Sequence, residues 1–229
     1  MAKSTEVATM TLADMVDPDG AVPAHISAGS GRGNENVGAN LTIPRIKQLQ
    51  KMSTEVDEHG MNYIEGAKPG NLINSLTSRI YGNELYVISL KFKDDFVVWG
   101  DRNKNIPMLG VYETQAAAEF AISETEVPEN YSVTQTHSHI LLVKDPATGQ
   151  LESQPVIMDF AVSKMRVSKD WNSQIAMKGG DRFAGLWKLE SVATANKQGQ
   201  QFMNLGVEFV GWSKEEDYKA AEALYEAYS

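Results

Sequence analysis

The chain has 229 residues, 42% of them apolar and 22% charged, which is enough to bury a core without disulfides or a structural metal. It contains no cysteine, which excludes disulfides, thiolate metal sites and cysteine nucleophiles and fits a reducing compartment. The formal net charge of −9 argues against indiscriminate binding to nucleic acid or anionic membranes, and because no apolar run approaches the ~18 residues of a membrane helix, we expect a soluble protein.

Residues 1–40 are rich in small and polar residues, have no sustained apolar periodicity and include the run GSGRGNENVGAN. This composition predicts a disordered N-terminal arm, followed by a single domain over residues 41–229. The arm is not a phosphate-binding loop, because no strand precedes its glycines and no Lys-Ser/Thr pair follows them. After residue 41, apolar residues at three-residue spacing predict either a short helix or an extended segment.

The middle of the chain is predicted to consist of strands with tight turns. Alternating apolar residues over 86–92 indicate a strand, and Gly82-Asn83 before it indicates a hairpin. We expect Asp94-Asp95 to turn the chain once more. Thr114 is predicted to cap a short helix in QAAAEFAIS.

The second half predicts a hairpin, a helix, two further strands and a last helix. The hairpin joins YSVTQTHSHILLVKD to LESQPVIMDFAV through a loop that contains Pro146 and Gly149. Ser163 is predicted to cap a helix that ends near Met177, and Ser213 a C-terminal helix whose apolar stripe packs either on its own domain or on a partner. Runs of antiparallel strands predict an α+β, mainly antiparallel β domain of barrel or sandwich type with two or three helices.

No pattern in the sequence indicates catalysis. His137 and His139 lie on one side of a predicted strand, as a metal site would require, but spacing places no third ligand, and a polar strand face is the simpler explanation. Nucleophile, metalloprotease and dinucleotide motifs are absent. We therefore predict a protein that is not an enzyme and has no metal or other cofactor.

Basic residues interleaved with aromatic ones are the remaining signal. Single strands of nucleic acid need cations for their phosphates and flat rings for their unstacked bases. The main cluster is Lys164, Arg166, Lys169, Trp171, Lys178, Arg182, Phe183, Trp187 and Lys188, and a weaker one is Lys91, Phe92, Lys93, Phe96, Trp99, Arg102 and Lys104. The simpler alternative is that the charges form a solvated surface and that the aromatic residues belong to the core.

The motifs IPRIKQLQ, FVVWGDR, SKMRVSKDWNSQI, GGDRFAGLWKLES and FMNLGVEFVGW, together with YIEGAKPGNLINSLTSRIYG, resemble a family of single-stranded DNA-binding proteins of tailed bacteriophages. The resemblance covers residues 43–229 and implies an OB-like barrel. It also implies a protein that coats exposed single strands during replication or recombination in the cytoplasm of the infected cell, with phage or host replication proteins as possible partners. The ending EALYEAYS lacks the acidic tail with a terminal phenylalanine through which some such proteins recruit partners.

We therefore predict a single-stranded DNA-binding protein with a defined set of contact residues. These residues are Lys164, Arg166, Lys169, Lys178, Arg182, Lys188, Lys91 and Lys93 for phosphates, with Trp171 and Trp187 for stacking on bases. The alternative is a phage structural or assembly protein that binds protein rather than DNA. The sequence does not define an oligomeric state.

Overall fold

The computed structural model describes residues 42–227, which form nine strands and three α-helices. The strands are β1 (Arg45–Gln48), β2 (Leu72–Asn74), β3 (Ile80–Gly82), β4 (Glu84–Gly100), β5 (Gly110–Tyr112), β6 (Tyr131–Lys144), β7 (Val156–Ala161), β8 (Gly185–Ala195) and β9 (Gln201–Trp212). The helices are α1 (Gln115–Ser123), α2 (Met165–Lys178) and α3 (Glu215–Ala227). The predicted N-terminal arm lies outside the described residues.

All nine strands belong to one sheet, in the order β3-β2-β1-β7-β6-β4-β8-β9, with β5 added to β4. Every pairing is antiparallel except that of β1 with β7. The sheet curls into a half-barrel, so the chain has the predicted α+β, mainly antiparallel class. No helix within residues 42–227 is both long and apolar enough to cross a membrane.

Side chains connect the β1 side of the curled sheet to the β8–β9 side. The side-chain amide of Gln50 donates to the carbonyl of Met203 and accepts from its N–H, both at 2.9 Å. Beside it, Gln48 Nε2 donates to Ser191 Oγ and to the carbonyl of Asn204, both at 2.7 Å. This seam joins the end of β1 and the residues just after it to β8 and β9 through side-chain hydrogen bonds.

The sheet has two apolar faces, and a different helix covers each. On one face, α2 packs Trp171 and Ile175 into a cluster with strand residues such as Val87. On the other face, α3 packs Ala221 against Ile88 in a smaller cluster. Tyr218 and Leu224 of α3 pack there as well, so the C-terminal helix packs on its own domain.

Most predicted elements are confirmed, including α1 with its Thr114 cap, the β6–β7 hairpin and the β8–β9 pair. The segment after residue 41 is extended. The predicted hairpin at Gly82-Asn83 is wrong, because β3 pairs with β2 across a turn in which Asn74 accepts from two backbone N–H groups. Helix α2 is confirmed, but its N-cap is Lys164 rather than Ser163.

The predicted turn at Asp94-Asp95 is also wrong, because β4 continues through both residues for 17 residues in all. Asp94 stays in the strand and accepts from Gln135 Nε2 of β6 at 3.0 Å. A register shift between Ser89 and Lys91 marks a β-bulge within β4. The bulge changes which side chains of β4 face α3, and this determines the site described next.

Candidate functional site

The site is a cleft of about 600 Å³ between β4, the 3-10 turn Arg182–Ala184 and α3. Its volume is in the range of ligand-binding pockets. The two walls differ in chemistry. Lys91 and Lys93 belong to the β4 wall, whereas Glu222, Tyr225 and Glu226 belong to the α3 wall. We call these the basic wall and the acidic wall.

The basic wall exists because of the bulge in β4. Past the bulge, Lys91 pairs with Ile140 of β6, whose side chain belongs to the cluster under α3. Since strand residues two apart share a face, Lys93 lies on the same side as Lys91. In the described residues, β8 pairs with β4 only as far as Ile88, and β5 pairs with β4 only from Phe96 onward, so no strand covers this edge of β4 at the cleft.

Arg182 lines the cleft and is held by three hydrogen bonds. Its Nε donates to Ser89 Oγ at 3.0 Å, and its Nη2 donates to Asn172 Oδ1 at 2.6 Å and to His139 Nδ1 at 3.2 Å. The guanidinium also lies 5.3 Å from the ring centroid of Phe92. Burial lowers the pKa of Arg182 to about 10, so it stays cationic at neutral pH.

A chain of buried hydrogen bonds runs on from Arg182. Because a guanidinium can only donate, His139 Nδ1 accepts and its Nε2 carries the proton. Nε2 therefore donates to Ser168 Oγ at 2.7 Å, and Ser168 donates to His137 Nδ1 at 2.8 Å. The remaining N–H of His137 then faces Asp94 Oδ1 at 3.7 Å. The chain leads from a buried cation to a carboxylate at the surface.

Both imidazoles in this chain are neutral parts of the core. Burial, together with the nearby Arg182 and His137, lowers the pKa of His139 to about 2. Burial also lowers the pKa of His137, against the raising effect of Asp94. Within residues 42–227, no three His, Cys, Asp or Glu side chains come together as a metal site. Ser168 is fully buried on the inner face of α2, where no substrate reaches it, so this chain of hydrogen bonds supports Arg182 and the cleft.

The structure brings three of the predicted contact residues, Lys91, Lys93 and Arg182, together at the cleft. The others are dispersed. Arg166 and Lys169 are exposed on α2, and Arg166 lies 3.8 Å from Asp170. The remaining three each have a neighbour of their own. Lys164 is partly buried near Asp159, Lys178 lies over the ring of Phe209, and Lys188 pairs with Glu208 at 2.9 Å.

The predicted stacking role of Trp171 and Trp187 does not fit their positions, because their side chains are only 0% and 1% exposed. Trp171 stacks on His139 at 4.5 Å and meets Trp187 edge-on at 6.0 Å. No face of either ring is free for a base. The alternative that these are core aromatics is confirmed.

The sequence placed Trp99 and Arg102 in the weaker cluster, but it did not indicate Tyr225 or Trp212 as exposed aromatic residues. Tyr225 is 42% exposed, and Lys91 Nζ lies 4.9 Å from its ring centroid. Trp99 is 39% exposed beside Arg102, and Trp212 is 57% exposed. Both tryptophans stand at strand ends, which covering helices reach least. The position of both tryptophans at the ends of strands was the feature of the sequence that could have indicated their exposure.

Comparison with known proteins gives one finding. The model of the family described as Pam3 phage gp34-like protein matches residues 15–229. No curated protein and no solved structure matches the chain.

Proposed function

The chain belongs to the Pam3 phage gp34-like protein family, and we propose that this bacteriophage protein binds single-stranded DNA, without catalysing a reaction, in the cleft between β4 and α3. Lys91 and Lys93 contact phosphates, Arg182 supplies a fixed positive charge in the cleft, and the exposed part of the Tyr225 ring, which also contacts Lys91 and Phe183, meets a base. We propose that the protein coats exposed strands during replication or recombination in the cytoplasm of the infected cell. Phage or host replication proteins are the partners that we propose there.

The observation that carries this proposal is the different chemistry of the two walls. A single strand has a phosphate side and a base side, and the cleft has a basic wall facing a wall with an aromatic ring and two carboxylates. Phosphates placed on Lys91 and Lys93 direct the bases toward Tyr225. Contact with an aromatic ring tolerates any sequence, because every base has a π-face.

The same arrangement disfavours duplex DNA. A duplex keeps its bases stacked inside and presents phosphates along both edges, so one edge would face Glu222 and Glu226 of the acidic wall. The net charge of −9 adds a repulsion that the cations of the cleft offset locally. We therefore expect selectivity for single strands.

An OB-like barrel is the finer fold that we propose. Two features support it: the sheet curls until Gln48 and Gln50 reach β8 and β9, and α2 packs into the curl through Trp171. OB-folds are partly open barrels that commonly bind oligonucleotides.

The test is charge reversal on the basic wall. Lys93→Glu should weaken binding of a labelled, mixed-sequence single strand about tenfold at 50 mM salt, measured by fluorescence anisotropy. It should also reduce the slope of log K against log salt by about 0.7, the value for one phosphate contact on a single strand.

The matched control is Lys197→Glu, because Lys197 is exposed in the β8–β9 turn and the charge change is the same. This variant should change the affinity less than twofold. Equal losses from both variants, or no change from Lys93→Glu in a folded protein, would remove the cleft from the DNA interface.

An assembly protein is the second candidate, and one observation favours it. Trp99, Leu109 and Val111 are exposed apolar residues at the β4–β5 edge of the sheet. Such patches commonly mark protein interfaces. A stable oligomer by light scattering, combined with no affinity for single strands at low salt, would favour this function over DNA binding.

A further inference from the structure

We propose that Arg182 and the uncovered edge of β4 form a subsite for the terminal phosphate of a single strand. The protein then binds a strand that ends in a phosphate more tightly than one that ends in a hydroxyl group. This inference rests on the proposed function, because it concerns which part of a bound strand occupies the cleft. It is carried by hydrogen-bond donors that have no acceptor among the described residues, and by the small extent of the positive charge around them.

The first donor is Nη1 of Arg182. The hydrogen bonds of this guanidinium to Ser89, Asn172 and His139 use only Nε and Nη2. Nη1 forms no hydrogen bond or ion pair with another described residue, and because it is not buried, it reaches solvent. Since Arg182 lines the cleft and is held by its other nitrogens, Nη1 offers two N–H groups there in a fixed position.

The second donor is a backbone N–H of β4. The C=O of Val98 accepts from the N–H of Leu109, so the backbone groups of Val98 face the β5 side of β4. Backbone groups two residues apart along a strand face the same edge, and β4 pairs with β6 without a register shift from Phe92 to Val98. The N–H of Phe92 therefore points to the edge that neither β5 nor β8 covers, and no described residue accepts from it. Phe92 lines the cleft, and its ring centroid lies 5.3 Å from the Arg182 guanidinium, so the two donors are neighbours.

The charges around these donors favour one phosphate over a row of phosphates. Lys93 is exposed and adds a cation to the cleft. Carboxylates border this positive region, because Asp94 and Asp95 follow Lys93 along β4, Asp181 precedes Arg182, and the acidic wall lies across the cleft. An internal phosphate has a neighbour on each side, and these neighbours would approach the carboxylates. A terminal phosphate has one neighbour only, so it avoids half of this repulsion.

The chemistry of a terminal phosphate also suits the donors better than that of an internal one. A phosphate monoester carries a charge of about −1.5 to −2 at pH 7 and presents three strong acceptor oxygens. An internal phosphodiester carries a single negative charge and has two such oxygens. Arginine and backbone N–H groups are common donors to phosphate oxygens, and hydrogen bonds between charged partners are the stronger ones.

The experiment compares three forms of one mixed-sequence strand, which carry a 5′-phosphate, a 3′-phosphate or hydroxyl groups at both ends. Each form competes with a labelled strand for the full chain at pH 7.5, and fluorescence anisotropy measures the displacement. We expect at least one phosphorylated form to bind about tenfold more tightly than the form with two hydroxyl ends, as one additional charge-assisted hydrogen bond would give.

The variant Asn172→Asp tests the subsite without removing Arg182. It keeps the size of the side chain and places a carboxylate against Nη2, which offsets the positive charge of the guanidinium. The preference for a terminal phosphate should then disappear. The matched control is Asn103→Asp, which makes the same change in net charge at an exposed residue outside the cleft lining and should keep the preference.

The outcomes separate this inference from the proposed function. Equal binding of all three forms by the unmodified protein would overturn the inference and leave the proposed function standing. Failure to bind any of the three forms would instead overturn the proposed function. A preference that both variants keep, or that both lose, would also overturn the subsite, because the preference would then not depend on Arg182.

Discussion

At the scale of single residues, the buried histidines make the stability of the protein depend on pH. An unfolded chain binds a proton on each histidine near pH 6.5, whereas burial holds the pKa of His139 at about 2 in the folded state. Below pH 6.5 the unfolded state therefore binds more protons, and the free energy of unfolding falls as the pH decreases. The contribution of His139 is a loss of about 2 kcal/mol between pH 7 and pH 5.

We expect His139→Gln to flatten this dependence, although it also lowers stability at pH 7 by changing the bond from Arg182. Urea unfolding at pH 7 and pH 5 measures the difference. His59→Gln is the control, because His59 is exposed and its replacement should leave the pH dependence as it was. If the free energy of unfolding of the His139→Gln variant falls between pH 7 and pH 5 as much as that of the unmodified protein, His139 is protonated in the folded protein.

Residue types were easier to predict from sequence than residue environments. The sequence pointed to Lys91, Lys93 and Arg182 because cations stand beside aromatic residues there, and these three do line one cleft. It also pointed to Trp171 and Trp187, which are buried. A tryptophan next to lysines along the chain looks the same whether its ring faces solvent or the core, and only packing across the sheet decides between them.

At the scale of elements, regular alternation was predictable and its interruptions were not. The β6–β7 and β8–β9 pairs follow from period-two patterns and turn residues. The bulge at Ser89–Lys91 has no such signature, yet it places Lys91 on the face covered by α3. The predicted turn at Asp94-Asp95 failed because Gln135, across the ladder, supplies a partner for Asp94 that local sequence does not reveal.

The seam that closes the sheet gives a prediction about the β9 edge. Gln50 makes two hydrogen bonds to the backbone of Met203, as a neighbouring strand would. Each such bond contributes about 0.5–1.5 kcal/mol net, so Gln50→Ala should lower the free energy of unfolding by about 1–3 kcal/mol. Hydrogen exchange at the Met203 amide should become faster at the same time.

The control for this change is Gln154→Ala, since Gln154 is exposed and no described residue bonds to its amide. It should leave both stability and Met203 exchange as they are. If Gln50→Ala lowers stability while exchange at Met203 stays slow, the side chain supports β1 alone and does not protect the edge of β9.

At the scale of the whole molecule, the charge distribution opposes the proposed function at long range and supports it at short range. The chain carries a net charge of −9, while Lys91, Lys93 and Arg182 line one cleft. The Debye length is about 30 Å at 0.01 M salt and about 10 Å at 0.1 M. At low salt an approaching strand is therefore repelled by the whole protein, whereas at moderate salt it responds mainly to the cleft.

We therefore expect the association rate constant for a single strand to rise several-fold between 0.01 M and 0.1 M salt, the reverse of electrostatic steering toward a basic protein. Stopped-flow anisotropy measures this rate separately from dissociation, which salt accelerates because counterions replace the lysines on the phosphates. Glu124→Gln/Glu126→Gln should raise the rate at 0.01 M but not at 0.1 M, because it removes distant charge and leaves the cleft intact. An association rate that falls steadily with salt would mean that the incoming strand meets a larger basic surface than the cleft provides.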